Sequence, residues 1–182
     1  MNFTRGTEEE FRTSMPGYEA KSAELAKMAA DLVRPSGAPP FMLLGYKGEH
    51  EIISSWEKKY GVQMFTSGQN HVRTLRTMGI NKFVGASYFP EKMNAIFARY
   101  FTEAGFQVLG MEGIDSQFAD VPNVPPENIF QFMKASPLNA KTPTAFTCSG
   151  PPGGPSTLSI RSKRTRDCLS SMRGRHDVAR RS

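Results

Sequence analysis

The sequence predicts an α/β fold, a parallel sheet flanked by helices. Three observations lead there. Helix-period stretches alternate with short apolar runs along residues 1–140. The apolar runs are too short for helices, and most lead into small or polar residues. Glycines sit where the helical stretches should stop. Strands alternating with helices imply βαβ units, right-handed crossovers and parallel pairing.

Each element can be read in order. A helix is expected over 8–30, followed by the apolar pair Leu32-Val33. A second helix over 49–60 leads to a strand-like run at 62–65. A third over 69–78 leads to the run at 83–86, and a fourth over 90–104 to the run at 107–111. In that fourth helix Met93, Ile96, Phe97, Tyr100 and Phe101 recur at spacings of three and four, which is one helical face. Gly61, Gly79 and Gly105 each suit the position just past a helix end. Pro126 suits the first turn of a last helix over 126–135. Ligands of such sheets bind beyond the carboxyl ends of the strands. The site is therefore expected in the loops at 35–41, 66–70, 87–90 and 112–115.

Composition narrows the class. The 182 residues are 38% hydrophobic, enough for a core without metal or disulfide support. Cys148 and Cys168 are the two cysteines, and no histidine or carboxylate cluster surrounds either, so a zinc module and a disulfide scaffold are disfavoured. No apolar run approaches the roughly 18 residues of a membrane span, and residues 1–10 lack an apolar secretory segment. The expected location is the cytoplasm. The net charge of +6 is uneven: residues 141–182 hold nine Lys/Arg and two acids, leaving 14 basic and 15 acidic side chains in the body. The overall basicity is thus no sign that the folded part binds nucleic acid.

Four units carry a family resemblance. The stretch from Ala30 through Leu32-Val33-Arg34-Pro35-Ser36-Gly37-Ala38-Pro39-Pro40 to Phe41 is the first. The second has Phe65-Thr66-Ser67 entering a helix that ends at Met78-Gly79-Ile80. The third is Phe83-Val84-Gly85-Ala86-Ser87-Tyr88 with Asn94 a turn later, and the fourth is Ala104-Gly105-Phe106 leading to Leu109-Gly110-Met111-Glu112-Gly113-Ile114. In this order they resemble the aspartate/glutamate racemase superfamily, in its arylmalonate decarboxylase and maleate isomerase branch, over about residues 6–135.

The resemblance implies a Rossmann-like lobe, one of two pseudo-symmetric lobes with the active site between them. It implies no cofactor and no metal, and small mono- or dicarboxylic acids as substrates. Family racemases use one cysteine in each lobe as a base on each face of the α-carbon. The first-lobe position is Gly37 in this chain, as in the decarboxylase pattern, so two-base racemisation is not expected. Tyr88 matches the family tyrosine that donates to a substrate carboxylate, with Ser36, Thr66, Ser67 and Asn94 as further polar contacts around the Gly37 floor. Donors aimed at an enediolate-like oxygen pair are the usual electrostatic contribution in this chemistry. Ala38 and Pro39 stand where the decarboxylases carry hydroxyl residues, and the tyrosine-to-asparagine spacing is one residue longer. Plainer readings stand beside these. Tyr88 could be a packing residue at a strand end, and the 35–40 segment a rigid turn. His71 reads as a helix-surface residue with no marked partner.

Two departures concern the ends. The family opens with a strand before the region where this helix begins, so the sheet is expected to lack its first strand. After residue 140 the chain becomes a basic Ser/Arg/Gly/Pro-rich tail, expected to be disordered because it has too little apolar surface to offset its ordering entropy. Codons permitted for residues 141–149, read in a shifted frame, spell D-A-D-G-I-Y-M-L, resembling a second-lobe strand. The tail is therefore read as a frameshifted second lobe, which would leave the active site incomplete. The alternative is a genuine basic tail that contacts nucleic acid or acidic membranes non-specifically; it lacks the interleaved aromatics of a specific reader. The folded body is expected to bind neither, and a homo-oligomer is compatible with this reading.

Overall fold

The computed structural model describes residues 6–113, 125, 127–128, 131–132, 145–147 and 160–161. Five helices and four strands fill the body: α1 (Glu8–Lys27), β1 (Leu32–Val33), α2 (Pro39–Met42), α3 (Gly45–Tyr60), β2 (Gln63–Met64), α4 (Ser67–Thr77), β3 (Lys82–Ser87), α5 (Glu91–Glu103) and β4 (Gln107–Gly113). Two short strands follow, β5 (Ala145–Thr147) and β6 (Ile160–Arg161).

The α/β class expected from the sequence is what the chain adopts. β1 pairs in parallel with β2, Val33 opposite Met64. β3 pairs in parallel with β4, from Lys82 opposite Gln107 to Ser87 opposite Gly113. Helices α4 and α5 start and stop as local chemistry dictates. Thr66 caps α4 in a reciprocal capping box with Gln69. At the helix ends, Gly61 and Gly79 take φ of 67° and Gly105 takes 92°. α1 is likewise capped by Thr7 and Glu10. It stops at Lys27, three residues short of expectation, because Ala29 turns into the left-handed region at φ 56°.

The core has two parts. Phe83 from β3 meets Phe101 and Phe106 edge-to-face at ring-centroid distances of 5.2 and 5.9 Å. Phe11 of α1 meets Phe89 after β3 at 5.8 Å. The second part gathers Val33, Phe41, Ile53, Trp56, Val62 and Met64 around the β1–β2 pair. The face read from the sequence of α5 is the buried one: Met93, Phe97, Tyr100 and Phe101 are enclosed.

Three expectations need correction. The 35–41 segment is not wholly loop, because Pro39–Met42 makes one helical turn; its prolines preset the backbone angle of the first turn. His71 is not on the helix surface. It shares the buried face of α4 with Ser67, Gly68, Val72 and Leu75. Finally, the segment after 140 was expected to carry no regular structure, yet Ala145–Thr147 pairs in parallel with Val84–Ala86 and in antiparallel fashion with Ile160–Arg161. The β3 edge presents unpaired N–H and C=O groups that any short extended segment can satisfy. The rest of 141–182 lies outside the described residues, as does most of the expected 126–135 helix, of which Glu127, Asn128, Gln131 and Phe132 are helical.

Candidate active site

Parallel pairing sends the carboxyl ends of β1 and β2 out on one side, and with them the segments Arg34–Ala38 and Phe65–Gly68. β3 delivers Ser87-Tyr88-Phe89 at its own carboxyl end. These are the loops in which the sequence placed the site.

Gly37 holds φ at 108°, a conformation that favours glycine. A Cβ at Gly37 would lie 2.7 Å from the Tyr18 hydroxyl. The sequence reading did not single out Tyr18. Burial pushes its phenol up to about 12, so it stays protonated and can donate. Ser36, the residue before Gly37, is exposed. Tyr88, the residue after β3, is 7% exposed.

Two of the expected wall residues are engaged inside the fold. Thr66 Oγ1 accepts from the Gln69 N–H at 3.0 Å and donates to Glu49 Oε1 at 2.5 Å. Asn94 Oδ1 accepts from the Ser87 hydroxyl at 2.5 Å, and its Nδ2 donates to the Phe89 carbonyl at 3.0 Å. The Phe89 N–H in turn donates to the Ser87 hydroxyl at 3.0 Å. Asn94 thus clamps the turn that carries Tyr88. Ser67 is different: it is 4% exposed, and its hydroxyl oxygen has no hydrogen-bond partner.

Glu49 was also missed from the sequence. It is fully enclosed and accepts from Thr66 and from the Tyr100 hydroxyl, which binds its other carboxylate oxygen. Burial raises its proton affinity, and the Thr66, Tyr100 and His50 interactions oppose that. One carboxyl therefore ties α3, the α4 cap and α5 together. A Cβ on Gly68 would come within 2.8 Å of it. The available signal was a charged residue in phase with Ile53 and Trp56 on the apolar face of α3.

His71 lies in the same region. Burial, and secondarily the positive charge of Arg34, lower its pKa from 6.5 to about 4. It is therefore a neutral imidazole at physiological pH. No group of three or more His, Cys, Asp or Glu side chains could hold a metal among the described residues. A separate cavity of about 420 Å³ opens between α3 and α4, lined by Tyr46, His50, Glu57, Phe65, Arg73 and Arg76 among others. None of the site residues expected from the sequence lines it. No helix among the described residues is long and apolar enough to cross a membrane.

The fold defines a class. It is shared with maleate cis-trans isomerases and with arylmalonate decarboxylase, the branch to which the sequence resemblance pointed. The Nocardia farcinica maleate cis-trans isomerase matches with a TM-score of 0.72 and 13% identity, over 79% of this chain and 61% of that one. The maleate isomerase Iso of Pseudomonas putida S16 matches at 0.67 and 15%, over 74% and 57%. An arylmalonate decarboxylase structure matches at 0.63 and 13%, over 74% and 58%. At such identities the likeness establishes the fold, and this chain spans about three-fifths of the length of those proteins. No protein-family model matches the sequence, and no curated protein is similar to it in sequence.

Proposed function

We propose that this chain carries the carboxylate-binding part of an active site for cofactor-independent decarboxylation or cis–trans isomerisation of small mono- or dicarboxylic acids. The observation that supports the reading is that Gly37, Ser67 and Tyr88 each follow the carboxyl end of a parallel strand, on a fold shared with a maleate isomerase and an arylmalonate decarboxylase. Loss of carbon dioxide or of an α-proton leaves an electron pair that spreads onto the remaining carboxylate oxygens. Donors fixed in a desolvated site stabilise that charge without reorganising. Tyr88 and Ser67 are the proposed donors, and Gly37 with Ser36 forms the floor, where Tyr18 adds a second phenol. Thr66 and Asn94 act one step back, by holding the α4 cap and the Tyr88 turn. With Gly37 at the first-lobe cysteine position, two-base racemisation is not part of the proposal.

The test is calorimetric titration of the full chain with maleate and with phenylmalonate, paired with proton NMR for fumarate or phenylacetate. Saturable binding that Tyr88→Phe weakens about tenfold, the worth of one charge-assisted hydrogen bond, is expected. Absence of binding by either acid overturns the reading. A second reading is carboxylate binding without turnover; binding with no product in the NMR experiment selects it.

A further inference from the structure

The cavity of about 420 Å³ between α3 and α4 lies apart from the carboxylate site, and none of the residues proposed to hold the carboxylate lines it. Small-molecule sites occupy roughly 300–1,000 Å³, so its size fits one. Arg76 Nη1 donates to the Tyr46 hydroxyl at 3.3 Å, which sets the end of α4 beside the start of α3. Glu57 Oε1 accepts from the Met64 N–H at 2.8 Å, which sets the end of α3 beside β2, just before α4. The two helices therefore run in opposite directions along the cavity. Tyr46, His50 and Arg76 stand at one end, Glu57 and Met64 at the other. From His50 to Glu57 is about 10 Å at the rise of a helix.

The first end is basic and preorganised. Arg73 and Arg76, three residues apart on α4, share one face. The Arg73 guanidinium lies 5.8 Å from the centre of the Phe65 ring and bonds none of the described residues. The Arg76 guanidinium lies 5.8 Å from the Tyr46 ring and 5.9 Å from the Phe106 ring, and donates to the Ala104 carbonyl at 2.8 Å. Neither arginine belongs to an ion pair among the described residues. The acids met here are engaged elsewhere: Glu103 accepts from the Tyr46 N–H and pairs with Arg99, and Glu57 holds the Met64 N–H. The Tyr46 hydroxyl accepts from Arg76, which leaves its own proton to donate. Ile53, Met64 and Val72 supply a buried apolar wall.

We infer that this cavity is a binding site for a small phosphate monoester with a neutral, apolar or aromatic body. A guanidinium takes a pair of oxygens, and two of them match a phosphate better than a carboxylate, which has one pair to offer. The body would lie along Ile53, Met64 and Val72. Glu57 at the far end disfavours a second anionic group there, which separates this ligand from a diacid.

The experiment titrates the full chain by calorimetry with phenyl phosphate, inorganic phosphate and benzoate, in the wild type, Arg73→Gln and Tyr88→Phe. Phenyl phosphate is expected to saturate one site, at least about tenfold more tightly than inorganic phosphate, because its ring leaves water. Arg73→Gln should weaken phenyl phosphate about tenfold, the worth of one charge-assisted contact, and leave benzoate unchanged. Tyr88→Phe should leave phenyl phosphate unchanged. Equal binding of the two phosphates would overturn the proposal, since charge alone would then account for it. So would phenyl phosphate binding that ignores Arg73→Gln, or that falls in Tyr88→Phe, which would place it in the carboxylate site. An equal loss of benzoate in Arg73→Gln would overturn the assignment to phosphate, and no binding of phenyl phosphate would overturn the site itself.

Discussion

Neutral, buried His71 gives the fold an acid-sensitive term whose size follows from the structure. Its pKa falls from 6.5 to about 4, chiefly through burial and then through the charge of Arg34. The folded chain therefore holds the imidazole neutral while the unfolded chain protonates it. Stability from this group is fully present above pH 6.5 and is lost as pH falls towards 4. Each tenfold change in proton affinity is about 1.4 kcal/mol, so the full difference is about 3 kcal/mol. Between pH 7 and pH 5 the linkage relation gives about 2 kcal/mol. For a domain stable by roughly 5–15 kcal/mol, that is a sizeable fraction. The assay is urea unfolding of the wild type and His71→Gln at pH 7, 6 and 5. The variant lacks the titrating group, so its stability should fall by about 2 kcal/mol less than that of the wild type over this range. Any constant cost of the substitution shifts the whole curve and leaves the difference in slope. Parallel profiles would refute a buried neutral His71.

Three other substitutions probe the framework around the site. Glu49→Gln should destabilise by roughly 1–3 kcal/mol in denaturant melts, because an amide cannot accept on both sides from Thr66 and Tyr100. Burial raises the Glu49 pKa, so its favourable contribution is complete below pH 4.5 and is lost as pH rises through the raised value; the Gln variant should lack that part of the profile. Asn94→Ala should cost about 1–3 kcal/mol by removing the acceptor of the Ser87 O–H and a donor to the Phe89 carbonyl, and it should weaken carboxylate binding through the Tyr88 turn. Gly85→Ala should cost about 1–3 kcal/mol, since its Cβ would stand 1.9 Å from the Met111 sulfur.

Much of the architecture was legible because it rests on local signals. The spacing of Met93, Phe97, Tyr100 and Phe101 marks a buried helical face wherever it occurs. Gly61, Gly79 and Gly105 end helices through their own backbone freedom. What escaped depends on contacts distant in sequence. Glu49 is tolerated in the interior by hydroxyls 17 and 51 residues away, so its charge read locally as a sign of exposure. His71 read as a surface residue because pattern alone did not show that the α4 face carrying Ser67 and Gly68 is covered. The Ala-Phe-Thr strand is too short to carry periodicity, and it exists through pairing with a β3 edge some sixty residues earlier. Within the candidate site, Gly37 and Tyr88 were singled out by resemblance. Tyr18 was not, because its hydroxyl reaches Gly37 from α1 only once the chain is folded.

The most direct test of the account is amide chemical-shift mapping of the full chain during titration with maleate. The account predicts saturating shifts at Gly37, Ser67, Gly68 and Tyr88, and loss of the Tyr88 response in Tyr88→Phe. Shifts confined instead to the α3–α4 cavity, at His50, Arg73 and Arg76, would contradict it, as would a titration that moves nothing.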